Sequence, residues 1–404
     1  MLEAAAEAFL IITDPNRMLF VALGTLLGLM IGVIPGIGGL VGLALLLPFT
    51  FALDPYTALA FLVGVQSVTT TSDTIPAVLF GVPGTTGSAA TVLDGYPMAQ
   101  KGQAKKALRV AHLSSASGDT FSDLVLFVCA PFLAILVERF LDLPEKTGLI
   151  ILSLSFIAAV IGGSVAKGLI STGIGLFAVY IGMVEDLSPR LSVGTQELSQ
   201  GFPITTSVLG VLIIGAVFMG LEELWTQKHQ SGKIEQAKDR GDQRLRWPEI
   251  KRLLPFIGRS AVIGTAIGAL PGIGSTLAAT LGHTLGKSTY DKKKAKDAPG
   301  FGEGVPEGVA ATEAANSSVS GANLIPVLSL GIPGNAAAVF LILAAESLGG
   351  LNPGPSVFRF TTDSVNPELV AVFGLFTCMV IANLCNWTIG GVFMRTMGVL
   401  MRSR

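Results

Sequence analysis

The chain has 404 residues, half of them hydrophobic and only 14% charged, with a net charge of −1 and a mean hydropathy of +0.65. A soluble globular domain carries about 25% charged residues and a nucleic-acid surface needs a basic excess, so both classes are excluded and a polytopic protein of the lipid bilayer is expected. The three cysteines, Cys129, Cys378 and Cys385, stand inside apolar runs without metal-ligand spacing and read as small hydrophobes.

Residues 1–17 form a mildly acidic, weakly amphipathic lead-in with no basic start and no cleavage site, so no secretory leader is expected. Runs at 18–34, 118–137, 148–184 and 204–221 are long and nearly uncharged. A helix needs about 20 apolar residues to cross a bilayer, whereas barrel strands alternate polar and apolar positions over about 10 residues. The runs do not alternate. The expectation is an all-α fold of about ten to twelve membrane segments, broken hairpins included.

In chain order, a first hairpin over 18–53 turns on PGIGG, Pro35 to Gly39. The polar stretch SVTTTSDT (67–74) then precedes IPAVLFGVPGTTGSAA (75–90), which opens like a membrane helix and breaks at Pro83-Gly84. A basic amphipathic stretch, 101–109, leads to four predicted helices near 118–138, 147–162, 168–184 and 204–224, and then to a charged segment, 228–252. A second hairpin, 253–286, turns on PGIGS, Pro271 to Ser275. TEAANSSVSGAN (312–323) and LIPVLSLGIPGN (324–335) follow, and the last predicted helix covers 370–392.

The chain repeats itself. GLMIGVIPGIGG at 28–39 returns as GTAIGALPGIGS at 264–275, 236 positions on, and IPAVLFGVPG at 75–84 returns as IPVLSLGIPG at 325–334, 250 positions on. The order is the same in each half, and a hydrophilic insertion around 290–304 accounts for the difference in offset. A duplicated unit is implied. Lys and Arg near helix ends mark the cytoplasmic side, and basic clusters occur at 101–109, 228–252, 287–296 and 395–404. Four helices between the first two clusters return the chain to the same side, with Lys167 in a cytoplasmic turn and 185–199 outside. The hairpin 253–286 then leaves and re-enters the cytoplasm, while 18–53, with few basic flanks, starts and ends outside. The two PGIG hairpins therefore point in opposite directions, the inverted repeat of many secondary transporters. The chain divides into a first repeat core (1–117), joining helices with a basic cytoplasmic loop (118–252), and a second repeat core (253–404).

Non-helical backbone at membrane depth survives only inside protein or at a watery cavity. Proline removes a helix hydrogen bond and glycine permits unusual dihedrals. Freed amides at a half-helix start suit an anion, and freed carbonyls at a half-helix end suit Na+. Hydroxyls and amides cluster beside both IP…PG breaks, and Asp73 and Glu313 are the intramembrane acids expected to bind a cation or carry a proton. A purely structural role is the competing reading: Pro-Gly as a kink, Ser and Thr bonded to their own backbone, and Gly24, Gly28 and Gly32 as packing notches. Four breaks in two ordered pairs favour binding, while the glycine ladder itself reads as packing.

Other signals are weaker. His112 and His283 read as surface or packing residues, and His229 as solvated. GHTLGKS (282–288) is one residue short of a phosphate loop and follows no strand, and PGIGGLVG misses the dinucleotide spacing. HExxH and GxSxG are absent, so neither an ATPase nor a hydrolase is supported.

LDGYPMAQKGQAKKAL (93–108), preceded by PGTTGSAAT and by GVIPGIGGLVGLALLLPFTFALDP (32–55), resembles the large permease of tripartite tricarboxylate transporters, the TctA family. LPGIGSTLA, FGEGVPEGVAATEAANSS (301–318), LIPVLSLGIPGNAAAVFL and GLNPGPSVF (350–358) are similar to it in the second half, so the resemblance covers nearly all the chain. It departs in ending sooner than members usually do, and in carrying VQSVTTTSDT where members often have tyrosine- and glycine-rich sequence.

The resemblance implies a permease of the bacterial cytoplasmic membrane, with a small TctB-like membrane subunit and a periplasmic TctC-like solute-binding protein. Its substrate would be a di- or tricarboxylate such as citrate, taken up with Na+ or H+ and without a cofactor, ATP hydrolysis or nucleic acid. Carried onto this chain by motif, Pro83, Gly84, Thr85, Thr86, Ser88, Asn316, Ser317, Ser318, Pro333, Gly334 and Asn335 are expected at the anion. Gly36, Gly38, Gly39, Gly272, Gly274 and Ser275, with Asp73 or Glu313, are expected at the cation, Na+ being the only metal ion foreseen. A passive anion channel and an intramembrane enzyme are the alternatives, and no nucleophile–base pair favours the second.

Overall fold

The computed structural model describes residues 2–35, 38–140, 165–183, 189–191, 243–292, 298–335, 354–358 and 366–400, with shorter pieces between 142 and 225 and between 337 and 342. Helix α1 spans Leu2–Ile12 and α2 spans Pro15–Gly32. Pro15 occupies the first position of α2, where its missing N–H costs nothing, and the Asp14 carboxylate accepts the Asn16 N–H at 3.0 Å. Helices α3 (Gly38–Thr50) and α4 (Pro55–Ser72) follow, the latter started in the same way by Asp54 and Pro55. Next come α5 (Thr74–Phe80), α6 (Ala89–Gln100), the long α7 (Ala104–Phe140) and α8 (Val165–Tyr180).

A two-residue antiparallel bridge joins β1 (Gly182–Met183) to β2 (Pro189–Arg190). The second half holds α9 (Trp247–Gly268), α10 (Gly274–Asp291), α11 (Pro306–Ser317), α12 (Val319–Ala322) and α13 (Leu324–Leu330). It ends with α14 (Pro367–Cys385), a wide turn over Asn386–Gly390, and α15 (Gly391–Leu400).

The all-α expectation holds apart from that short bridge, which ends the helix expected to reach 184 at Tyr180. The basic stretch 101–109 largely forms the opening turns of α7, so the helix expected at 118–138 is longer than its apolar part. The expected helices 147–162 and 204–224 and the segments 185–199 and 228–242 lie wholly or largely outside the described residues. Among the described residues three segments are long and apolar enough to cross a membrane: Pro15–Gly32, Ala104–Leu136 and Pro367–Met397. Gly38–Thr50 and Ala166–Ala178 are shorter and also apolar.

Helix α7 is polar inside and apolar outside. Ser114, Ser115, Asp119, Ser122 and Asp123 are buried, while Leu124, Val128 and Phe132 are 58%, 74% and 65% exposed. Water would penalise that arrangement, whereas a hydrocarbon surround favours it. The main apolar cluster runs through α1, α2, α4, α7 and α14, with Ile12, Leu62, Leu126 and Met379 among its members.

Glycines set the helix spacing. A Cβ on Gly28 of α2 would stand 2.4 Å from the Val65 carbonyl of α4, and one on Gly264 of α9 would stand 2.2 Å from the Ala315 carbonyl of α11. These equivalent positions are close-approach notches in both halves, as the glycine ladder implied. The basic clusters gather at one end: Lys105, Arg109, Arg244 and Arg395 line a single cavity of about 670 Å³. Nearby Arg252 pairs with Glu307 at 2.7 Å and Lys106 with Glu249. Burial raises the Glu249 carboxyl, but the Arg246 N–H and the Lys106 ammonium outweigh it and hold the group below its usual range.

Candidate functional site

The two IP…PG segments build the same backbone 250 positions apart. Helix α4 stops at Ser72, Asp73 follows, and α5 runs seven residues to Gly81, whose φ of +69° ends it. In the second half α12 stops at Ala322, Asn323 follows, and α13 runs seven residues to Gly331, with φ +73°. Pro76 and Pro326 have no N–H to offer the carbonyls of Ser72 and Ala322, which loosens each helix at the break. The chain then doubles back on itself. A Cβ on Gly84 would lie 2.5 Å from the Asp73 carbonyl oxygen, and one on Gly334 would lie 2.4 Å from that of Asn323. Only glycine fits either place.

Each PGIG turn seats beside the break of its own half. Gly38 approaches the Thr85 methyl, and Gly39 lies against the Thr69 hydroxyl. The Gly272 N–H donates to the Gly334 carbonyl at 2.9 Å. The two halves then meet through polar side chains. Glu313 of α11 is fully buried, and its carboxylate accepts the Thr74 hydroxyl at 2.7 Å and the Thr91 hydroxyl. Thr91 also stands 3.0 Å from the Thr312 hydroxyl. Asp73, equally buried, accepts the Thr85 hydroxyl on one oxygen, while its Oδ1 has no partner. Asn316, one turn beyond Glu313, is buried with its amide facing the Asp73 carboxylate, although no hydrogen bond closes on either amide atom. Gly87 completes the contact, because a Cβ there would be 2.1 Å from Asn316 Oδ1 and 2.5 Å from Ser275 Oγ.

Of the residues expected from sequence, Gly84, Thr85, Asp73, Ser275, Glu313 and Asn316 thus come together around the contact between the two halves. Ser88 supports this group, its hydroxyl accepting the Thr85 N–H at 3.1 Å and donating to the Thr85 carbonyl. Pro83 and Thr86 are exposed. Gly272, Pro333 and Gly334 belong to the second turn, and Gly274 (φ +76°) opens α10. Three side chains face other partners. Ser317 meets the Ser115 hydroxyl of α7, Ser318 bonds back to the Ala315 carbonyl at 3.3 Å, and Asn335 Oδ1 takes the Ala338 N–H at 2.8 Å. Gly36 lies outside the described residues, as does His229.

Sequence reasoning missed several residues that tie the halves together. Asp94 Oδ1 accepts N–H groups from Gly302 (2.9 Å), Gly304 (3.0 Å) and Val305 (3.0 Å), and its Oδ2 lies 3.0 Å from His283 Nε2. A first-half acid therefore clamps the second-half insertion. The signal was an aspartate alone in the largely apolar α6, with a glycine-rich FGEG loop elsewhere to satisfy it. Ser115 links Thr71 (3.1 Å) to Ser317, and Asn386 donates to Thr71 at 3.0 Å. His112 packs edge-on against Trp387 and reaches the Asn386 carbonyl at 3.0 Å.

Chemically, the centre offers two buried carboxylates, one from each half, among hydroxyls, an amide and freed backbone groups. Among the described residues no Lys or Arg pairs with Asp73 or Glu313. Oxygen-rich surroundings without a fixed cation suit a small hard cation.

Comparison with known proteins covers nearly the whole chain. The family described as the tripartite tricarboxylate transporter TctA family matches residues 18–403. The chain is 32% identical over 371 residues to an uncharacterized 52.8 kDa protein in the TAR-I ttuC' 3' region of Agrobacterium vitis, covering 92% of this chain and 70% of that protein. It is 34% identical over 121 residues to an uncharacterized protein in the TAR-II ttuC' 3' region of the same organism, covering 30% of this chain and 45% of that one. No solved structure matches. The family match takes in both PGIG hairpins, both breaks and the clamp between the halves, and the chain belongs to the TctA family of tripartite tricarboxylate transporters.

Proposed function

We propose that this chain is the large permease of a tripartite uptake system in a bacterial cytoplasmic membrane. It imports a di- or tricarboxylate, of which citrate is the type, received from a periplasmic binding protein, with a small membrane subunit at its side. Na+ or H+ drives it. The observation that carries the reading is Glu313 of the second half seated on Thr74 and Thr91 of the first, beside Asp73 on Thr85.

The electrostatics give the coupling. Two ionised carboxylates in a low-dielectric site repel an anionic substrate strongly, and no basic side chain pairs with them among the described residues. A cation on Asp73 and Glu313, helped by carbonyls of the PGIG turns, removes that repulsion and lets the anion enter. Freed amides around Gly84, the hydroxyls of Thr85, Thr86 and Ser88, and the Asn316 amide then hold the substrate oxygens. Ser317, Ser318 and Asn335 support this wall through their own partners, with Pro333 and Gly334 shaping its second side. Neither ion moves alone, which is symport.

Opposed hairpins supply alternating access. Supporting this, α9 carries Arg252 and Lys251 near its start, and the Tyr290 end of α10 returns to the cavity region that holds Arg252 and Lys101. The start of α2 instead pairs Arg17 with Asp54 at 3.4 Å. The neighbouring Ile12 and Tyr56 pack on Gly374 in the first half of α14, while the helix's far end leads to Trp387 and the basic cavity.

The test is uptake of radiolabelled citrate and simpler dicarboxylates into proteoliposomes with the cognate binding protein, under imposed Na+ or H+ gradients. Gradient-driven accumulation is expected. Accumulation indifferent to both gradients, or flux that merely follows the substrate's own gradient with measurable conductance, overturns the reading.

A further inference from the structure

A second pair of acids lies buried in this protein, and the carboxylate site does not use it. Asp119 and Asp123 stand four residues apart on α7, so they share one face of the helix. They are 1% and 3% exposed. That face is pressed inward: a Cβ on Gly118 would meet the Ala314 carbonyl of α11 at 2.5 Å. A Cβ on Gly321 of α12 would stand 2.0 Å from Asp123 Oδ1. The broken helix thus leaves a notch into which Asp123 fits.

The polar accounting around the pair does not close. Asn383 of α14 donates its Nδ2 to Asp123 Oδ2 at 2.7 Å. The Ser320 hydroxyl of α12 faces Asp119, but no hydrogen bond closes on either oxygen of Asp119, on the Oδ1 of Asp123 or on the Oδ1 of the 94%-buried Asn383. Among the described residues no Lys, Arg or His is paired with either acid. Four acceptor oxygens therefore face inward unbonded, because the Asn383 donor is spent on a fifth, Asp123 Oδ2, and the Ser320 hydroxyl is the one other donor at the pair. A buried acceptor without a donor costs about 1–3 kcal/mol and a charged one more. A proton shared between two oxygens satisfies two of the four. A small hard cation gathers several at once, and four are too few for Ca2+, which takes six to eight.

We propose that Asp119 and Asp123, completed by the Asn383 amide oxygen, form a second cation site that takes a monovalent ion of the Na+ class. The site is distinct from Asp73 and Glu313 yet wired to them. Ser115, whose hydroxyl joins Thr71 and Ser317, lies on the same helix four and eight residues before the acids, about 6 and 12 Å along its axis. The pocket rests on α12, the piece of helix that leads into the second break. Filling it stiffens one wall of that break.

This site stands independently of the substrate reading, because it is tested by counting ions without any carboxylate present. Purified full-length protein in detergent micelles is equilibrated with radioactive Na+ against a K+ or choline background. The Asp119→Asn/Asp123→Asn double variant is expected to bind one Na+ fewer per chain, or to bind it about tenfold more weakly, while Asp73→Asn keeps that ion. A folded, monodisperse double variant with unchanged stoichiometry and affinity overturns the proposal. Should the double variant not fold, wild-type protein decides. Carbodiimide labelling of carboxyl groups, read by mass spectrometry, is expected to slow at Asp119 or Asp123 in Na+ but not in K+ or choline. Equal rates in all three salts overturn the proposal and mark a protonated pair instead.

Discussion

The two breaks share a backbone and differ in almost every polar side chain. Asp73 sits at the first break where Asn323 sits at the second, and Thr85 follows the first Pro-Gly turn where Asn335 follows the second. The second half carries its acid elsewhere, at Glu313, ten residues before its break, where the first half has Val63. Both acids nevertheless reach the contact between the halves. What the duplication preserved is the geometry that needs glycine and proline. The chemistry has diverged, so that one half ties a carboxylate to its own turn and the other lends a carboxylate to its neighbour's hydroxyls.

That contrast can be broken experimentally, and the clamp between the halves should give the largest effect. Asp94→Ala orphans the N–H groups of Gly302, Gly304 and Val305 and the ring of His283. A loss of about 3–5 kcal/mol is expected, read as a collapse of folded yield after detergent extraction. A well-folded variant with near-native thermal stability would mean that the halves are not held there.

The shared backbone predicts parallel behaviour next. Gly84→Ala and Gly334→Ala should each cost about 3 kcal/mol, since a carbonyl oxygen stands within 2.5 Å of either new methyl. Thermal melts differing widely between the two would end the claim of structural equivalence.

The divergent chemistry predicts the opposite, namely unequal loss of transport. Glu313→Gln keeps the shape but removes the charge that Thr74 and Thr91 bond, and uptake should fall about 10- to 100-fold. Asn323→Asp, adding an acid at the place equivalent to Asp73, should not rescue it, and a rescue would show that the two positions are interchangeable. The smallest effect belongs to Gly331→Ala, about 1 kcal/mol for a left-handed residue, and Gly81→Ala should cost more because its methyl would stand 3.1 Å from the Tyr96 ring, both read as shifts in melting temperature.

Local features were legible in the sequence and long-range ones were not. The PGIG turns and IP…PG breaks announce themselves because proline and glycine act within a few residues of where they stand. Glu313 and Asn316 were legible as polar groups out of place in an apolar context. Ser317, Ser318 and Asn335 looked alike in sequence, but their partners come from helix register and from the next helix's own N–H groups. Asp119 and Asp123 lay in plain view inside a run that reads as nearly uncharged over 118–137. The eye averages such a run, whereas burial acts on single atoms. Asp94 had no local partner to betray it, since its donors lie more than 200 residues away.

At Gly87 the two halves come close without bonding. Nothing larger than a hydrogen fits between it and the Asn316 and Ser275 side chains. A methyl group there acts as a doorstop, pushing the Asn316 amide and the Ser275 hydroxyl away from the first half. In the proposed alternating-access cycle the position is thus a handle for holding the two halves apart.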